Sequence, residues 1–429
     1  MKTQSPKVTS PRRRVLTATA QRRPVIADSG GTQVAPKNEN TAIRLFTYHA
    51  SQTALDDLRQ RVLATRWPEQ ETVADFSQGV PLATMRKLAH YWASEYDWRK
   101  FEKRLNALPQ FVTEIDGVDI HFIHVRSKHA NALALLSAHG WPGSVNWGMK
   151  IALPLTDPTA NGGKAEEAFD LVIPSMPGYG FSSKPTTTGW GPARIARAWI
   201  TLMKRLGYRR FVAHGGDWGA IVVEQMAIQG APELIGMHTN MPGCVPAELD
   251  PLLWAGSPMP SSLSAEEKRA CDQLAFAYKN VHYAFYMGSR PQTLVGLEDS
   301  PVGLATFYLD FERRTLELIT QTFDRKPTGL TRDDVLDNIT IAWLTKSAVS
   351  GARLYWENKL NYFAPKNVTI PVAVSAFPDE LFQAPKSWVK RAYPNLIYYN
   401  QPDQGGHFAA WEQPGIFSAE LRASFESLR

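Results

Sequence analysis

The segment HGGDWGA (214–220) carries a carboxylate at a position where a tight turn would expose it. The residues two before and two after Asp217 are glycines, which permit the cramped strand-to-helix turn of a nucleophile elbow. A serine that attacked a saturated carbon would be left as an ether, which water does not cleave. A carboxylate forms an ester instead, and activated water can hydrolyse that ester. Asp217 therefore indicates displacement at a saturated carbon, as in an epoxide or an alkyl halide. The alternative is an aspartate that only caps the following helix.

Two other segments could supply the partners that such a nucleophile needs. His407 lies in the glycine-rich segment QGGHF (404–408) and is the candidate general base. The acid that would orient its imidazole lies in FPDE (377–380), where the residues alone leave both Asp379 and Glu380 open. The order nucleophile, acid, histidine along the chain is typical of an α/β-hydrolase triad.

The segment HGWPGS (139–144) follows a predicted strand and is the candidate oxyanion loop. We expect the backbone N–H groups of Trp141 and Trp218 to hold the negative charge that develops when water attacks the ester. His139 and His214 are predicted to orient loops. The usual metal-ligand spacings are absent from the sequence, so we predict neither a metal site nor a cofactor.

These residues must be positioned by a parallel sheet. Apolar runs typical of buried strands alternate with helical stretches, which favours a sheet covered on both faces. Loops at the carboxyl ends of its strands would bring the candidate residues into one crevice. VDIHFIHV (118–125) alternates like a strand of a hairpin. The predicted buried parallel strands are ALALLSA (132–138), FDLVIPS (169–175), RFVAHGG (210–216) and IPVAVSAF (370–377).

Regions on either side of these strands are predicted to be helical. Two helical stretches, ALDDLRQRVLATRWP (54–68, ended by Pro68) and MRKLAHYWASEYDWRKFEKRLNALPQF (85–111), precede the sheet, and the region 246–365 is helical and aromatic-rich, like a lid. We therefore expect a basic disordered tail (1–42), an N-terminal region (43–130), a first core part (131–244), a helical cap (245–365) and a second core part (366–429).

The net charge of +6 is a property of the tail, because the first 42 residues hold eight Lys/Arg and two acidic residues, which leaves 39 of each after them. The folded part therefore has no basic footprint for nucleic acid. No apolar run approaches the roughly 20 residues that span a bilayer, and two cysteines make no disulfide framework. We expect a cytoplasmic protein, although SPRRRVL (10–16) resembles an interrupted twin-arginine signal and the Arg/Thr/Ser-rich tail would suit organelle import.

Several motifs together resemble the microsomal-type epoxide hydrolase family, which includes juvenile-hormone and fungal enzymes. The resemblance runs from about residue 43 to the end and includes RWP, YDWRKFEKRLN and IDGVDIHFIH in the N-terminal region. Its most specific segments are HGWPGS (139–144), PSMPGYGFSSKP (174–185), HGGDWGA (214–220) and GGHFAAWEQP (405–414).

The resemblance implies an α/β-hydrolase fold with a mostly parallel central sheet, a helical cap and an N-terminal helical and meander extension. It implies conversion of an epoxide to a vicinal diol through a hydroxyalkyl ester on Asp217. The apolar and aromatic residues of the predicted cap suggest that this substrate is a small hydrophobic epoxide. The resemblance matches the orienting acid to Glu380, and it matches two cap phenols that polarise the epoxide oxygen to Tyr283 and Tyr355. The membrane anchor of the vertebrate members is missing, which favours a soluble enzyme, and a homodimer is left open.

Two departures from the family pattern concern specificity. VNWGMKIALPL (145–155) stands where relatives carry an acidic residue and aromatics, and Tyr286-Met287 stands where an Ile-Gln pair is more usual.

Two other functions remain open. A haloalkane or fluoroacetate dehalogenase shares the aspartate elbow, but a halide leaves without a proton and needs Trp or Asn N–H donors rather than two phenols. A catalytically silent binding protein on the same scaffold is the alternative from another class, because fold does not fix function.

Overall fold

A nine-stranded sheet forms the centre of the computed structural model, which describes residues 39–311, 317, 321–323 and 329–429. Its order is β1-β2-β3-β5-β4-β6-β7-β8-β9. Neighbours from β1 to β5 are antiparallel, and those from β5 through β4 to β9 are parallel. The strands are β1 (Arg44–Leu45), β2 (Gln110–Ile115), β3 (Val118–Val125), β4 (Leu133–Ala138), β5 (Phe169–Pro174), β6 (Phe211–Gly215), β7 (Leu234–Thr239), β8 (Val372–Ser375) and β9 (Leu396–Asn400).

The mostly parallel sheet predicted from the sequence is confirmed. Every residue of β4, β6 and β8 is buried, as expected for strands covered by helices on both faces. Two of the parallel strands escaped prediction. β7 contains Gly236 and two polar residues, and β9 is a half-buried edge strand, so neither has a continuous apolar run.

Helices cover both faces of the sheet and make up much of the described part of the long segment between β7 and β8. Numbered in chain order among the described residues, they are α1 (Gln52–Leu63), α2 (Leu82–Ser94), α3 (Trp98–Asn106), α4 (Asn146–Thr156), α5 (Pro192–Arg205), α6 (Trp218–Ile228), α7 (Asp250–Ala255), α8 (Ala265–Asn280), α9 (His282–Ser289), α10 (Pro301–Leu309), α11 (Arg332–Leu344), α12 (Ala348–Glu357), α13 (Lys386–Ala392), α14 (Ala409–Glu412) and α15 (Pro414–Ser424). Short 3-10 helices lie at Pro158–Ala160, Ala165–Glu167, Pro291–Glu298 and Glu426–Leu428.

The predicted helical stretch over 85–111 is wrong in part, because it is two helices followed by a strand. Asp97 interrupts it, since its side chain accepts a hydrogen bond from the N–H of Arg99 at 3.0 Å and so caps a new helix, α3. The last residues of the stretch, from Gln110, belong to β2. The preceding helix, α1, ends at Leu63, before Pro68 is reached.

The segment between β7 and β8 contains helices but no strand among its described residues. Side-chain hydrogen bonds join its helix α11 to α2 and to the residues between α2 and α3. Tyr91 donates to Asp333 at 2.7 Å, Tyr96 to Asp337 at 2.9 Å, and Trp92 to Thr340 at 3.2 Å.

The five predicted domain ranges stay a prediction, and the tail lies outside the described residues up to position 38. Among the helices of the described ranges, none is both long and apolar enough to cross a bilayer.

Candidate active site

The turn between β6 and α6 carries Asp217 in a backbone conformation that few side chains adopt. Its φ is +51° and its ψ is −128°, which is a strained region for a residue with a Cβ. A Cβ at Gly215 would lie 2.1 Å from the carbonyl oxygen of Gly219, and one at Gly219 would lie 2.2 Å from that of Ala138. The two glycines are therefore required by close backbone contact. Within the described residues, the Asp217 side chain makes no capping hydrogen bond to α6, so the helix-cap interpretation is not supported.

The buried carboxylate of Asp217 is held differently at its two oxygens. The N–H of Trp141 donates to Oδ1 at 2.7 Å. A Cβ on Gly140 would lie only 2.0 Å from the same oxygen, so that glycine lets the loop approach. The phenol of Tyr362 donates to Oδ2 at 3.2 Å, and Nε2 of His407 lies 3.4 Å from Oδ2. One oxygen thus faces a backbone donor, and the other faces the candidate base.

His407 and Glu380 form a buried pair next to Asp217. Nδ1 of His407 is hydrogen-bonded to Oε1 of Glu380, whose side chain is fully enclosed. The carboxylate of Glu380 also accepts from the side-chain amide of Asn240 at 2.6 Å and from the N–H of Leu381 at 2.9 Å. Asp379 is exposed. The carboxylate that contacts the imidazole is therefore that of Glu380.

Two negative charges surround the imidazole. Burial lowers the pKa of His407, but the carboxylates of Glu380 and Asp217 outweigh burial and raise it to about 10. In the resting protein the ring is therefore an imidazolium at neutral pH, with one carboxylate on either side.

The two predicted cap tyrosines contact each other and Trp141 of the candidate oxyanion loop. Tyr283, from α9, stacks on Trp141 with ring centroids 4.6 Å apart and planes at 21°. Tyr355, from α12, meets Trp218 edge-on at 4.7 Å and Tyr283 at 6.2 Å. Burial and the charge of Asp217 raise the pKa of Tyr355 well above its usual range. Its phenol therefore stays protonated and able to donate.

Other predicted features of the site are only partly visible in the resting state. Among the described residues, the backbone N–H of Trp218 makes no hydrogen bond to the carboxylate of Asp217. The part of Trp218 in an oxyanion hole stays a prediction. Nε2 of His139 accepts a hydrogen bond from the N–H of Met176 at 3.2 Å. Nδ1 of His214 lies 3.0 Å from Nδ1 of His238. Burial lowers the pKa of His139 to about 4 and that of His214 to about 3, so both are neutral and suited to orienting loops.

Two residues of the site escaped the sequence analysis. Tyr362 follows α12 and belongs to a segment with many aromatic residues, so nothing local distinguishes it. Asn240 directly follows β7, at the carboxyl end of a parallel strand, and recognising that strand would have pointed to it.

Two family profiles match the chain. "Epoxide hydrolase N terminus" matches residues 43–146, and "alpha/beta hydrolase fold" matches residues 134–263. The first profile includes α1 to α3 and the antiparallel strands, and the second includes the turn that carries Asp217.

Relatives and solved structures agree with these profiles over most of the chain. A Stigmatella aurantiaca (strain DW4/3-1) relative is 49% identical over 390 residues, which are 90% of this chain and 85% of that protein. Epoxide hydrolase 1 of Oryctolagus cuniculus is 36% identical over 406 residues, 89% of this chain and 88% of that protein.

Among solved structures, juvenile hormone epoxide hydrolase from Bombyx mori has 29% identity and a TM-score of 0.80, covering 91% of this chain and 96% of that one. The Aspergillus niger epoxide hydrolase has 29% identity and a TM-score of 0.76, covering 91% and 98%. On the strength of these similarities and of the site described above, the chain belongs to the microsomal-type epoxide hydrolase family and has the α/β-hydrolase fold.

Proposed function

We propose that the chain hydrolyses an epoxide to a vicinal diol in two steps, with Asp217 as the nucleophile. In the first step Oδ2 of Asp217 attacks an epoxide carbon and the bond from that carbon to the epoxide oxygen breaks, while the phenols of Tyr283 and Tyr355 hold that oxygen and supply its proton. The imidazolium of His407 then replaces the proton that the phenol has given up. An alkoxide leaves poorly without such donors. The observation that carries the proposal is the buried carboxylate with one oxygen on the Trp141 amide and the other facing the His407–Glu380 pair.

The second step is hydrolysis of the resulting ester. Water activated by His407 attacks Cγ of Asp217, and the amides of Trp141 and Trp218 stabilise the oxyanion at Oδ1. Alkylation itself prepares the base, because it removes the negative charge of Asp217 that helps to raise the pKa of His407. In the ester the imidazole is therefore neutral over a wider pH range than in the resting enzyme, and it can accept a proton from water.

The substrate that we propose is an apolar epoxide. Aromatic rings surround Trp141 on the side of the cap helices. A surface lined by aromatic side chains with few polar groups binds a hydrophobic substrate. The ring of Phe311 also lies 4.7 Å from that of His407. The rings that pack against Trp141 are those of Tyr283, Phe307, Tyr308, Phe311 and Tyr355.

A single turnover in water labelled with heavy oxygen tests the mechanism. With enzyme in excess over styrene oxide, the label should enter the carboxylate of Asp217, and the diol should carry an oxygen from the enzyme. The peptide containing Asp217 and the diol are both analysed by mass spectrometry. Label that appears in the diol and not in the peptide on this first turnover would refute the covalent route.

A further inference from the structure

This inference rests on the proposed function. In that reaction the two oxygens of Asp217 play different parts. Oδ1 is held by the Trp141 amide at 2.7 Å, so it becomes the carbonyl oxygen of the ester. Oδ2 faces His407 at 3.4 Å and Tyr362 at 3.2 Å, so it is the oxygen that attacks the epoxide and becomes the bridging oxygen of the ester.

The same oxygen is the leaving group of the second step. When water attacks Cγ, the bond between Cγ and Oδ2 must break, and Oδ2 departs with the diol. It leaves as an alkoxide, which is strongly basic and needs a hydrogen-bond donor or a proton. A donor aimed at Oδ2 is therefore useful in ester hydrolysis, after the epoxide oxygen has already been protonated.

Tyr362 is fixed in that position by packing and by a buried ion pair. Its ring meets Trp218 edge-on at 5.0 Å and Phe363 at 5.2 Å. Nζ of Lys366 donates to the carbonyl oxygen of Tyr362 at 3.1 Å and pairs with Glu224 at 2.9 Å. The side chains of Glu224 and Lys366 are 1% and 8% exposed. Because Glu224 lies on α6, the segment carrying Tyr362 is anchored to the helix that starts directly after the nucleophile.

We propose that Tyr362 is a third active-site phenol, which donates its hydrogen bond and then its proton to Oδ2 as the Cγ–Oδ2 bond breaks. The electron pair of that bond goes to Oδ2, which takes the phenolic proton and leaves as the second hydroxyl of the diol. The imidazolium of His407, which has taken a proton from water, returns a proton to the phenolate. Ester and water are thereby converted to diol and the carboxylic acid of Asp217. The acid proton then passes to His407, which restores the carboxylate and the imidazolium of the resting state.

The protonation state of Tyr362 agrees with this role. Burial, and then the charge of Asp217, raise the pKa of its phenol well above the usual range. The phenol is therefore a donor throughout the working pH range, and an alkoxide is basic enough to take its proton.

The role separates Tyr362 from the two cap phenols in a measurable way. Tyr283 and Tyr355 are proposed to act in alkylation, whereas Tyr362 acts in ester hydrolysis. The test is a rapid-quench single turnover of styrene oxide on Tyr362→Phe, with the ester on the Asp217 peptide followed by mass spectrometry. Removing the hydroxyl keeps the ring packed against Trp218 and Phe363. Tyr278→Phe is the matched control, because Tyr278 is also a buried cap phenol but donates to Asp250 at 2.8 Å.

We expect the ester to form in Tyr362→Phe about as fast as in the wild type. It should decay about 100-fold more slowly, which is the lower end of the range for loss of a general acid. The steady-state kcat should fall while kcat/KM is kept, and Tyr278→Phe should behave like the wild type. A fluorotyrosine at position 362, whose phenol is more acidic, should restore decay of the ester, which a purely structural role would not explain.

Ester that decays at the wild-type rate in Tyr362→Phe would overturn this inference and leave the proposed function intact. Slow formation of the ester in that variant, with normal decay, would overturn it as well, because Tyr362 would then act in alkylation. Failure of the proposed function is distinct, since the wild type would then carry no ester on Asp217 at any time.

Discussion

Nε2 of His407 lies 3.4 Å from Oδ2 of Asp217, while Nδ1 of the same ring is hydrogen-bonded to Glu380. The imidazole therefore lies between the carboxylates of Asp217 and Glu380. The contact is a close approach of charges, which alkylation of Asp217 abolishes. The state of the base is in this way coupled to the progress of the reaction.

His407→Gln should trap the covalent intermediate. Alkylation by Asp217 does not need the imidazole as a base, whereas hydrolysis of the ester does. We expect turnover to fall by roughly 10²- to 10⁴-fold, the range for loss of a general base. Intact-protein mass spectrometry after incubation with styrene oxide should show one substrate mass added per chain.

The control for that experiment is His90→Gln, since His90 is exposed on α2. It should turn over substrate at the wild-type rate. Loss of turnover in His407→Gln with no added mass would mean that the imidazole is needed before the ester forms, contrary to the mechanism proposed.

The pKa of His407 should drop when Asp217 is neutralised. In the wild type, burial opposes and the two carboxylates raise this pKa from 6.5 to about 10. Asp217→Asn removes one of the carboxylates and should lower the pKa, as the ester does. Titration of the imidazole by NMR in both proteins measures the difference, and an unchanged value would show that the two side chains do not interact.

The raised pKa of His407 in the folded wild type also affects stability. A pKa that is raised on folding stabilises the folded state while the group is protonated. The contribution of His407 is fully present below pH 6.5 and is lost as the pH rises from 6.5 to about 10. The free energy of unfolding should therefore fall less steeply across this window in Asp217→Asn than in the wild type. Urea unfolding at several pH values checks this, and equal slopes would contradict it.

Gly219→Ala should disrupt the turn between β6 and α6 that carries Asp217. The added Cβ would lie 2.2 Å from a backbone carbonyl oxygen of β4, which cannot move without disturbing the sheet. Overpacking of a core costs about 1–3 kcal/mol, and contact with backbone lies at the upper end. Activity should be lost together with this stability. Gly296→Ala is the control, because a Cβ there meets no atom within 4 Å.

Parts of this site could be predicted from the sequence because their requirements are local. The turn at Asp217 needs glycines at fixed offsets, and the loop before His407 needs Gly405, whose φ is +112°. These backbone requirements determine which residue types stand next to Asp217 and His407. They can therefore be recognised without knowledge of the fold.

Other parts depend on which way a side chain faces after folding. Asp379 and Glu380 are neighbours of similar chemistry, and only the direction of the backbone after β8 decides that Glu380 meets the imidazole. Tyr362 is one of 14 tyrosines, and its distance to Asp217 arises from packing of the segment after α12 against α6. No periodicity encodes either relationship, and Glu380 is singled out by the family resemblance and not by the residues themselves.

Removing one partner of the buried ion pair of Glu224 and Lys366 should destabilise the protein more than removing both. Glu224 also accepts hydrogen bonds from the phenol of Tyr393 and from the N–H of Gly243 at 3.1 Å. Lys366→Met would leave its carboxylate buried without a counter-charge, which costs about 3–5 kcal/mol. The double variant Glu224→Gln/Lys366→Met should recover most of that loss, because no charge is then left buried.

Urea unfolding of the wild type, both single variants and the double variant gives the coupling energy. The exposed pair of Arg391 and Glu248, whose side chains are 63% and 57% exposed, is the control, and breaking it should cost about 0–1 kcal/mol. Single variants whose losses simply add in the double variant would show that the pair is not coupled. In that case Tyr362 would have to be held by its ring contacts alone, since the same lysine bonds its carbonyl oxygen.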